Sequence, residues 1–313
     1  PPTTTRRQRQ MCIRDSPVAE KTITCDDLLI SSAFVYELDE TLSHYDLRGE
    51  ISRKIGYALA EKYDRLIFRQ IAKGARLASP ITKSGYVEPG GTQIRLTRSG
   101  VTNATAAYDA TCLINGFYDA AAALDEKGVG SEGRVAVLNP RQYYELIQNV
   151  ESNGLINRNE RGDAIQSGNG IIEIAGITIY KSMNIPFFGN FGTKFGTGSA
   201  TNPGVTAPTN TGDFVGETMA DERAGTSATK TVNTYGNSDN FNNSCGLIFQ
   251  KEAAACVEAI GPQVQVTSGD ISVVYQGDVI LGRLAMGADS LNPAAAVELI
   301  AGAAVSNSTT TFE

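Results

Sequence analysis

Between His44 and Arg76 the apolar positions form a ladder: Leu47, Ile51, Ile55, Leu59, Tyr63, Ile67, Ile71 and Ala75 recur every fourth residue. Arg48, Glu50, Arg53, Lys54, Glu61, Lys62, Arg65, Arg69 and Lys73 occupy the positions between them. Side chains four apart share one helix face, so the pattern predicts an amphipathic helix over residues 46–76 with its charges on the other faces. At 1.5 Å per residue it would span about 46 Å, more than the core of an ordinary domain requires. A four-residue repeat drifts around the helix instead of holding a heptad seam, which argues against a coiled coil. A long helix lying across one sheet is the expectation.

Before this helix, alternation in Lys21 to Cys25 and Ser32 to Tyr36 predicts an extended strand over Val18 to Tyr36 whose N-terminal pairing partner is not visible. A lone strand exposes a row of backbone donors and acceptors, so either lost sequence or another subunit must cover it. Asp39 starts a short turn, DETLSHY, as a plausible cap. After Pro80, which stops the long helix, Ile81 to Ala107 is rich in Gly and Thr, with short strands and a Gly-Gly turn. Thr111 to Lys127 is a second amphipathic helix, stopped by Gly128. RVAVL at Arg134 to Leu138 is a buried strand, and Asn139-Pro140 opens a third helix. Ser152 to Gly170 is a polar loop, and Ile171 to Ile174 and Ile177 to Lys181 form a hairpin around Ala175-Gly176.

Residues 189–241 differ in kind. Gly, Thr, Asn and Ser make up more than half of them, so they form an exposed insertion unable to build a core. Apolar patterning returns after Asn243, with strands expected at Gly246 to Gln250, Ala255 to Ile260, Val264 to Val266, Ile271 to Tyr275, Val279 to Ala285 and Ala295 to Ile300.

Composition narrows the function classes. The 313 residues, 41% of them hydrophobic, allow a sizeable core, and a net charge of −7 disfavours sequence-reading nucleic-acid binding. Residues 1–16 carry four arginines and one aspartate, which leaves −10 on the remainder. Those sixteen read as disordered, and MCIRDS within them looks like a translated sequencing adaptor, so the expectation is that they are non-native and that the true N-terminus is missing. Five cysteines, Cys12, Cys25, Cys112, Cys245 and Cys256, without CxxC spacing indicate neither a disulfide framework nor a zinc site. No apolar run reaches eighteen residues, so no membrane-spanning helix is expected.

The chemistry census points away from an enzyme. His44 is the single histidine, which excludes Ser-His-Asp, Cys-His and His-rich metal sites. GVGSEG at 128–133 matches dinucleotide-binding letters, but it follows a helix and precedes a strand, the reverse of the required order. No Walker-type GKT or GKS and no calcium loop occur. Asp26-Asp27 and Asp39-Glu40 are sequence neighbours, and the first pair would point to opposite faces of a strand. Asp125-Glu126 lies at a helix end, where solvation suffices as an explanation. Asn103-Ala-Thr105 and Asn307-Ser-Thr309 fit a glycosylation acceptor by letters alone. No catalytic, cofactor or metal residue is assigned.

Four blocks, residues 135–147 (VAVLNPRQYYELI), 170–186 (GIIEIAGITIYKSMNIP), 21–60 and 279–299 (VILGRLAMGADSLNPAAAVEL), together resemble the major capsid proteins of tailed double-stranded DNA phages, whose α+β shell fold is called the Hong Kong 97 type. VAVLNPRQYYELI at 135–147 is similar to a strand, Asn-Pro and helix segment of those proteins, and GIIEIAGITIYKSMNIP at 170–186 to the hairpin that follows it. Lys21 to Ala60, with His-Tyr-Asp before the helix, resembles the short-tailed T7-like group of podoviruses and cyanophages, as does VILGRLAMGADSLNPAAAVEL at 279–299. The likeness covers 18 to about 188 and 243 to 301.

The resemblance implies a domain plan and a function. Residues 17–38 would be the returning strand of an E-loop that lies over a neighbouring subunit. Residues 39–130 would form a P-domain with spine helix 46–76, and 131–244 an A-domain including insertion 189–241. Residues 245–303 would return to the P-domain sheet, and 304–313 would be a tail. The family's N-terminal arm and first E-loop strand are absent, and the insertion is longer than the T7-like group leads one to expect. The implied function is a structural subunit that self-assembles into hexamers and pentamers of an icosahedral capsid around double-stranded DNA, without sequence-specific binding, cofactor or membrane. Its partners would be other copies of itself, scaffolding protein and portal protein, with assembly in the host bacterial cytoplasm and residence in the virion. Candidate intersubunit contacts are Thr22, Thr24, Phe34 and Tyr36 on the returning strand, Arg48, Arg53, Lys54, Arg65 and Arg69 on the spine, and Asn153, Arg158 and Arg161 in an axis-proximal loop. The alternatives are an encapsulin-like shell protein and, from a different class, a carbohydrate-binding or adhesion module.

Overall fold

The computed structural model describes residues 21–25, 28–43, 46–79, 82–83, 86–97, 106–107, 109–148, 172–185, 244–267 and 274–301. Residues 1–16, the loop at 152–170, the insertion 189–241, the tail 304–313, His44 and the Asp26-Asp27 pair lie outside them.

The long helix forms where the ladder predicts it. Asp46 caps it, its Oδ1 accepting from the Gly49 amide at 2.8 Å, and α-helix runs from Leu47 to Arg76. The preceding DETLSHY segment is not a turn. Glu37–Ser43 (α1) is a helix, with Glu37, Asp39 and Glu40 in its first turn, where carboxylates favour the helix dipole; Asp39 sits inside the helix and does not cap it. The long helix is therefore α2. Leu77 turns to extended backbone at its end, and its carbonyl accepts from the Gly91 amide at 2.9 Å. Gly91 lies so close to the last turn that a Cβ there would collide with the backbone of Gly74 and Ala75, which is why a glycine is required.

Leu29–Tyr36 (β1) pairs antiparallel with Gly277–Ser290 (β10), Leu29 opposite Leu284 and Tyr36 opposite Gly277. The strand expected to lack a partner thus has one, supplied from about 245 residues further along the chain. Lys21 to Cys25 forms no strand; the Lys21 ammonium holds it beside β10 through Asp289 at 2.7 Å. Ala254–Val266 (β9) pairs with the other edge of β10 and completes a three-stranded sheet in the order β1, β10, β9. The two strands expected at Ala255 to Ile260 and Val264 to Val266 are one, passing through Gly261-Pro262. An edge strand tolerates the missing proline donor, and the register shifts nearby, around Arg283 and Ala285. Val274 and Tyr275 belong to a helical turn leading into β10 instead of the expected strand.

The second sheet has six strands in the order β4 (Thr92–Arg95), β11 (Ala296–Ile300), β8 (Ser244–Gln250), β5 (Arg134–Leu138), β7 (Ile177–Lys181), β6 (Ile172–Ile174). A small hairpin, β2 (Thr82–Lys83) with β3 (Tyr86–Val87), stands apart. Ala175 and Gly176 take positive φ, 53° and 75°, as a tight two-residue hairpin turn between β6 and β7 requires. Successive strand residues face opposite sides. Ala136, Leu138 and Ile248 pack with Leu113, Phe117 and Leu124 of Ala110–Glu126 (α3) and Tyr143 and Leu146 of Pro140–Gln148 (α4). Val137 and Leu247 face the opposite way, onto Ile71, Ala72 and Ala75 of α2. Helices therefore cover both faces, which explains the unbroken apolar runs RVAVL and CGLIF.

The long helix does not lie across one sheet; it joins two. Ile55, Leu59 and Leu66, with Leu47, Ile51 and Tyr63 half-buried beside them, pack on Ile280, Leu284, Met286 and Ala288 of the three-stranded sheet. Ile71 and Ala75 pack on the six-stranded sheet, and Ile67 contacts both groups. Each step of four residues rotates the ladder by about 40°, or about 280° over its seven steps. The drift that rules out a coiled coil turns the apolar stripe from one sheet to the next.

Two further expectations change. Boundaries at 130/131 and 244/245 cut through one hydrogen-bonded sheet, because β4, β5 and β11 come from three different expected segments yet share it. Arg69 and Lys73 are not on a charged outer face: each is 6% exposed, because every side of the helix is enclosed from Arg69 to Arg76.

Candidate assembly surfaces

The face of β1 turned away from α2 is apolar. Leu29, Ala33 and Val35 point inward, so Ile30, Phe34 and Tyr36 point out, 56%, 38% and 55% exposed. Phe34 and Tyr36 meet edge to face at 4.8 Å, and the Phe34 ring lies against Gly277, where a Cβ would strike it. Just beyond the strand, Leu38 and Leu42 of α1 are each 68% exposed, one helical turn apart. Thr22 and Thr24 are also exposed. Monomer surfaces carry single apolar residues freely; here Ile30, Phe34 and Tyr36 share one strand face and Leu38 and Leu42 one helix face.

The α2 charges behave differently from one another. Arg48 forms ion pairs with Glu40, its Nε 2.6 Å from the carboxylate, and with Asp278, its Nη1 2.5 Å away, fastening α1 and the start of β10 to the helix. Arg53 pairs with Glu50 at 2.8 Å and Arg65 with Glu61 at 2.5 Å, each within the helix. The hydrogen bond to Glu50 raises the Arg53 guanidinium above its already high ordinary pKa, so it stays charged. Lys54 is exposed, and Arg69 is enclosed by its own chain. Asn153, Arg158 and Arg161 lie outside the described residues. The structure thus gathers Phe34 and Tyr36 into one outward patch and leaves Lys54 on a separate helix flank.

Sequence reasoning missed the strongest electrostatic feature. Arg76, at the end of α2, donates from Nε and Nη2 to the two carboxylate oxygens of Glu298 on β11, both at 2.8 Å, with no solvent exposure of either side chain. Gln93 of β4 adds a third donor to Glu298 at 2.9 Å. The available signal was a lone glutamate in the apolar run AVELI. A charge there is tolerated only with full pairing. Asp125 was a second omission: it pairs with Arg134 at 2.7 Å, so solvation is not its whole account. The α1 leucine pair was legible as Leu-x-x-x-Leu, once the segment was known to be helical.

No catalytic arrangement emerges among the described residues, and no group of three or more His, Cys, Asp or Glu stands close enough to hold a metal. Tyr63 and Cys256 share a 3.2 Å hydrogen bond between α2 and β9; that bond, then burial and the neighbouring Glu258, push the phenol above its ordinary pKa. Burial and the nearby Glu298 raise the Cys245 thiol as well, leaving it inert. Burial lowers the pKa of Lys127, whose ammonium donates to the Gly90 carbonyl and the Thr92 hydroxyl, tying the end of α3 to the Gly-Gly segment. These groups serve the scaffold.

Comparison with known proteins gives the family and the fold. A family model described as "Gp10A-like: Major capsid protein" matches residues 13–300. The major capsid protein of Escherichia phage T7 is 28% identical over 138 residues, 43% of this chain and 39% of that protein. The chain thus spans about two fifths of the length of that relative. Among solved structures, the capsid of the cyanophage P-SCSP1u matches with a TM-score of 0.67 and 28% identity, over 92% of this chain and 78% of the other. The mature capsid of bacteriophage PhiM1 matches with a TM-score of 0.56 at 15% identity, over 91% and 77%, which speaks to the fold alone. The fold is the α+β Hong Kong 97 type of phage capsids.

Proposed function

The chain belongs to the Gp10A-like major capsid protein family, and we propose on that basis that it is the structural subunit of an icosahedral phage capsid. The family match across residues 13–300 carries the reading, because it spans every described element of both sheets. The mechanism is assembly, not turnover: many modest contacts per subunit sum to a stable shell because each copy touches several neighbours. In this reading the three-stranded sheet with the N-terminal part of α2 is the P-domain, and the six-stranded sheet with α3 and α4 is the core of the A-domain. Thr22, Thr24, Phe34 and Tyr36 contact a neighbouring copy, and Asn153, Arg158 and Arg161 lie towards the capsomer axis.

Copies form hexamers and pentamers, assisted by a scaffolding protein, with a portal protein at one vertex and assembly in the host cytoplasm. The net charge of −7 suits a wall that encloses DNA without gripping it. Electron microscopy of the full chain expressed with its scaffold tests the function. Closed shells are expected. A stable monomer that binds glycans and never forms capsomers would replace the capsid reading with the adhesion one.

A further inference from the structure

Two surface features of this chain fit one another. The first is α1, which buries none of its residues and turns Leu38 and Leu42 to solvent. Helical geometry puts Glu37 and Asp39 about 100° to either side of Leu38, and both are exposed. Glu40 is taken by Arg48, but neither Glu37 nor Asp39 has an ion-pair partner among the described residues. Seven residues are too few for a helix to persist in water on propensity alone. This one is fixed at its start by the Glu37 amide, which donates to the Gln276 carbonyl at 3.0 Å, and at its middle by the ion pair of Glu40 with Arg48. Its leucine stripe is thereby held facing away from its own subunit.

The second feature is a flank of α2. Lys54, Ala58 and Lys62 stand at four-residue spacing on one side of the helix, Lys54 and Ala58 exposed and Lys62 half-buried. Neither lysine has an ion-pair partner among the described residues. Ala58 leaves a shallow gap between them, and Tyr57, 67% exposed, borders it. An acidic helix with a leucine stripe and a cationic flank with a small residue at its centre are complementary in charge and in shape.

We propose that α1 of one copy seats on the Lys54, Ala58 and Lys62 flank of α2 in a second copy, with Glu37 and Asp39 facing the two lysines and Leu38 and Leu42 over Ala58. This rests on the capsid reading and names a contact that reading leaves open. The two patches differ, so the contact is head to tail, and repeating it by rotation closes a ring. One chain then carries both halves of a capsomer interface.

Charge reversal of the full chain, expressed with its scaffold, tests the pairing. Glu37→Lys with Asp39→Lys, and separately Lys54→Glu with Lys62→Glu, should each lower the yield of closed shells by about tenfold or more, because like charges then face one another. Circular dichroism melts of the unassembled subunits should lie close to wild type, lowered only by the small cost of lysines in the first turn of α1, since Glu37, Asp39 and Lys54 are exposed and Lys62 is only half-buried. The quadruple variant, with all four charges exchanged, should restore the wild-type yield. Reversals that assemble like wild type overturn the inference, and so does a quadruple variant as defective as its parents, which would give the two patches to another partner such as the scaffold. Wild-type protein that forms no shell removes the capsid reading itself, an outcome distinct from either.

Discussion

The two sheets that share α2 are finished to different degrees. The six-stranded sheet has helices on both faces, and its central strands run through the interior with Ala136, Leu138, Leu247, Ile248, Val297 and Leu299 all at 5% exposure or less. Among the described residues the three-stranded sheet has a helix on one face only, and its other face shows Ile30, Phe34 and Tyr36 to solvent. The charges follow the same division. Arg76 and Glu298 pair with no exposed side-chain surface at one end of α2, whereas Arg53 and Glu50 pair at 62% and 46% exposure at the other. One region completes its own core. The other displays apolar surface that no described residue covers, as a subunit must if neighbours are to bind it.

The strongest way to break this contrast is to disturb the enclosed pair. Glu298→Ala removes the acceptor from a buried guanidinium and should destabilise the subunit by about 3–5 kcal/mol, read by denaturant unfolding of the unassembled chain. Replacing both partners, Arg76→Met with Glu298→Leu, should be near neutral, because apolar side chains of similar size suit an enclosed site once no charge is stranded. A loss below about 1 kcal/mol for Glu298→Ala would mean that water reaches the pair and that this end of α2 is not closed.

Much of this division was legible in the sequence, and the rest was hidden for identifiable reasons. The four-residue ladder located α2 to within one residue, since its period is a property of one helix. RVAVL and its Asn-Pro announced β5 and α4 because an unbroken apolar run and a first-turn proline are both local signals. The pairing of β1 with β10 is set by contacts between distant residues, so local alternation marked the strand and left its partner unknown. Arg69 and Lys73 read as surface charges because charge pattern alone cannot show that a second sheet encloses that end of the helix. Of the candidate surface, Phe34 and Tyr36 came from alternation. The leucines of α1 were lost when a seven-residue helix, too short to show a period, was read as a turn.

A milder change sharpens the comparison on the open side. Phe34→Ser removes the ring that lies on Gly277 and meets Tyr36, a cross-strand contact worth about 0.2–1 kcal/mol. Subunit stability should therefore fall by about 1 kcal/mol or less, while shell yield should fall much further if a neighbour covers this face. Sedimentation of wild-type and variant assemblies separates the two effects. A variant that assembles normally would show that the outer face of β1 is not covered in the shell.

The smallest effect distinguishes a partly exposed pair midway along α2 from the enclosed pair at its end by their response to salt. Glu61 stands four residues before Arg65 and accepts from its Nη2 at 2.5 Å, with the Glu61 side chain 46% exposed. A carboxylate placed one turn before a cation also has the favourable order for the helix dipole. The Arg65 side chain is 18% exposed, but water and counterions reach the Glu61 carboxylate, so Glu61→Gln should cost only about 0.2–0.5 kcal/mol at low ionic strength. In ~1 M salt, where the screening length is about 3 Å, that cost should vanish. The cost of Glu298→Ala should persist in the same salt, because counterions cannot enter a site with no exposed side-chain surface. Melting both variants at low and high salt gives four values. If both losses shrink together, the enclosure of Arg76 and Glu298 is refuted; if only the Glu61 loss shrinks, one helix runs from a solvated interface surface into a sealed core.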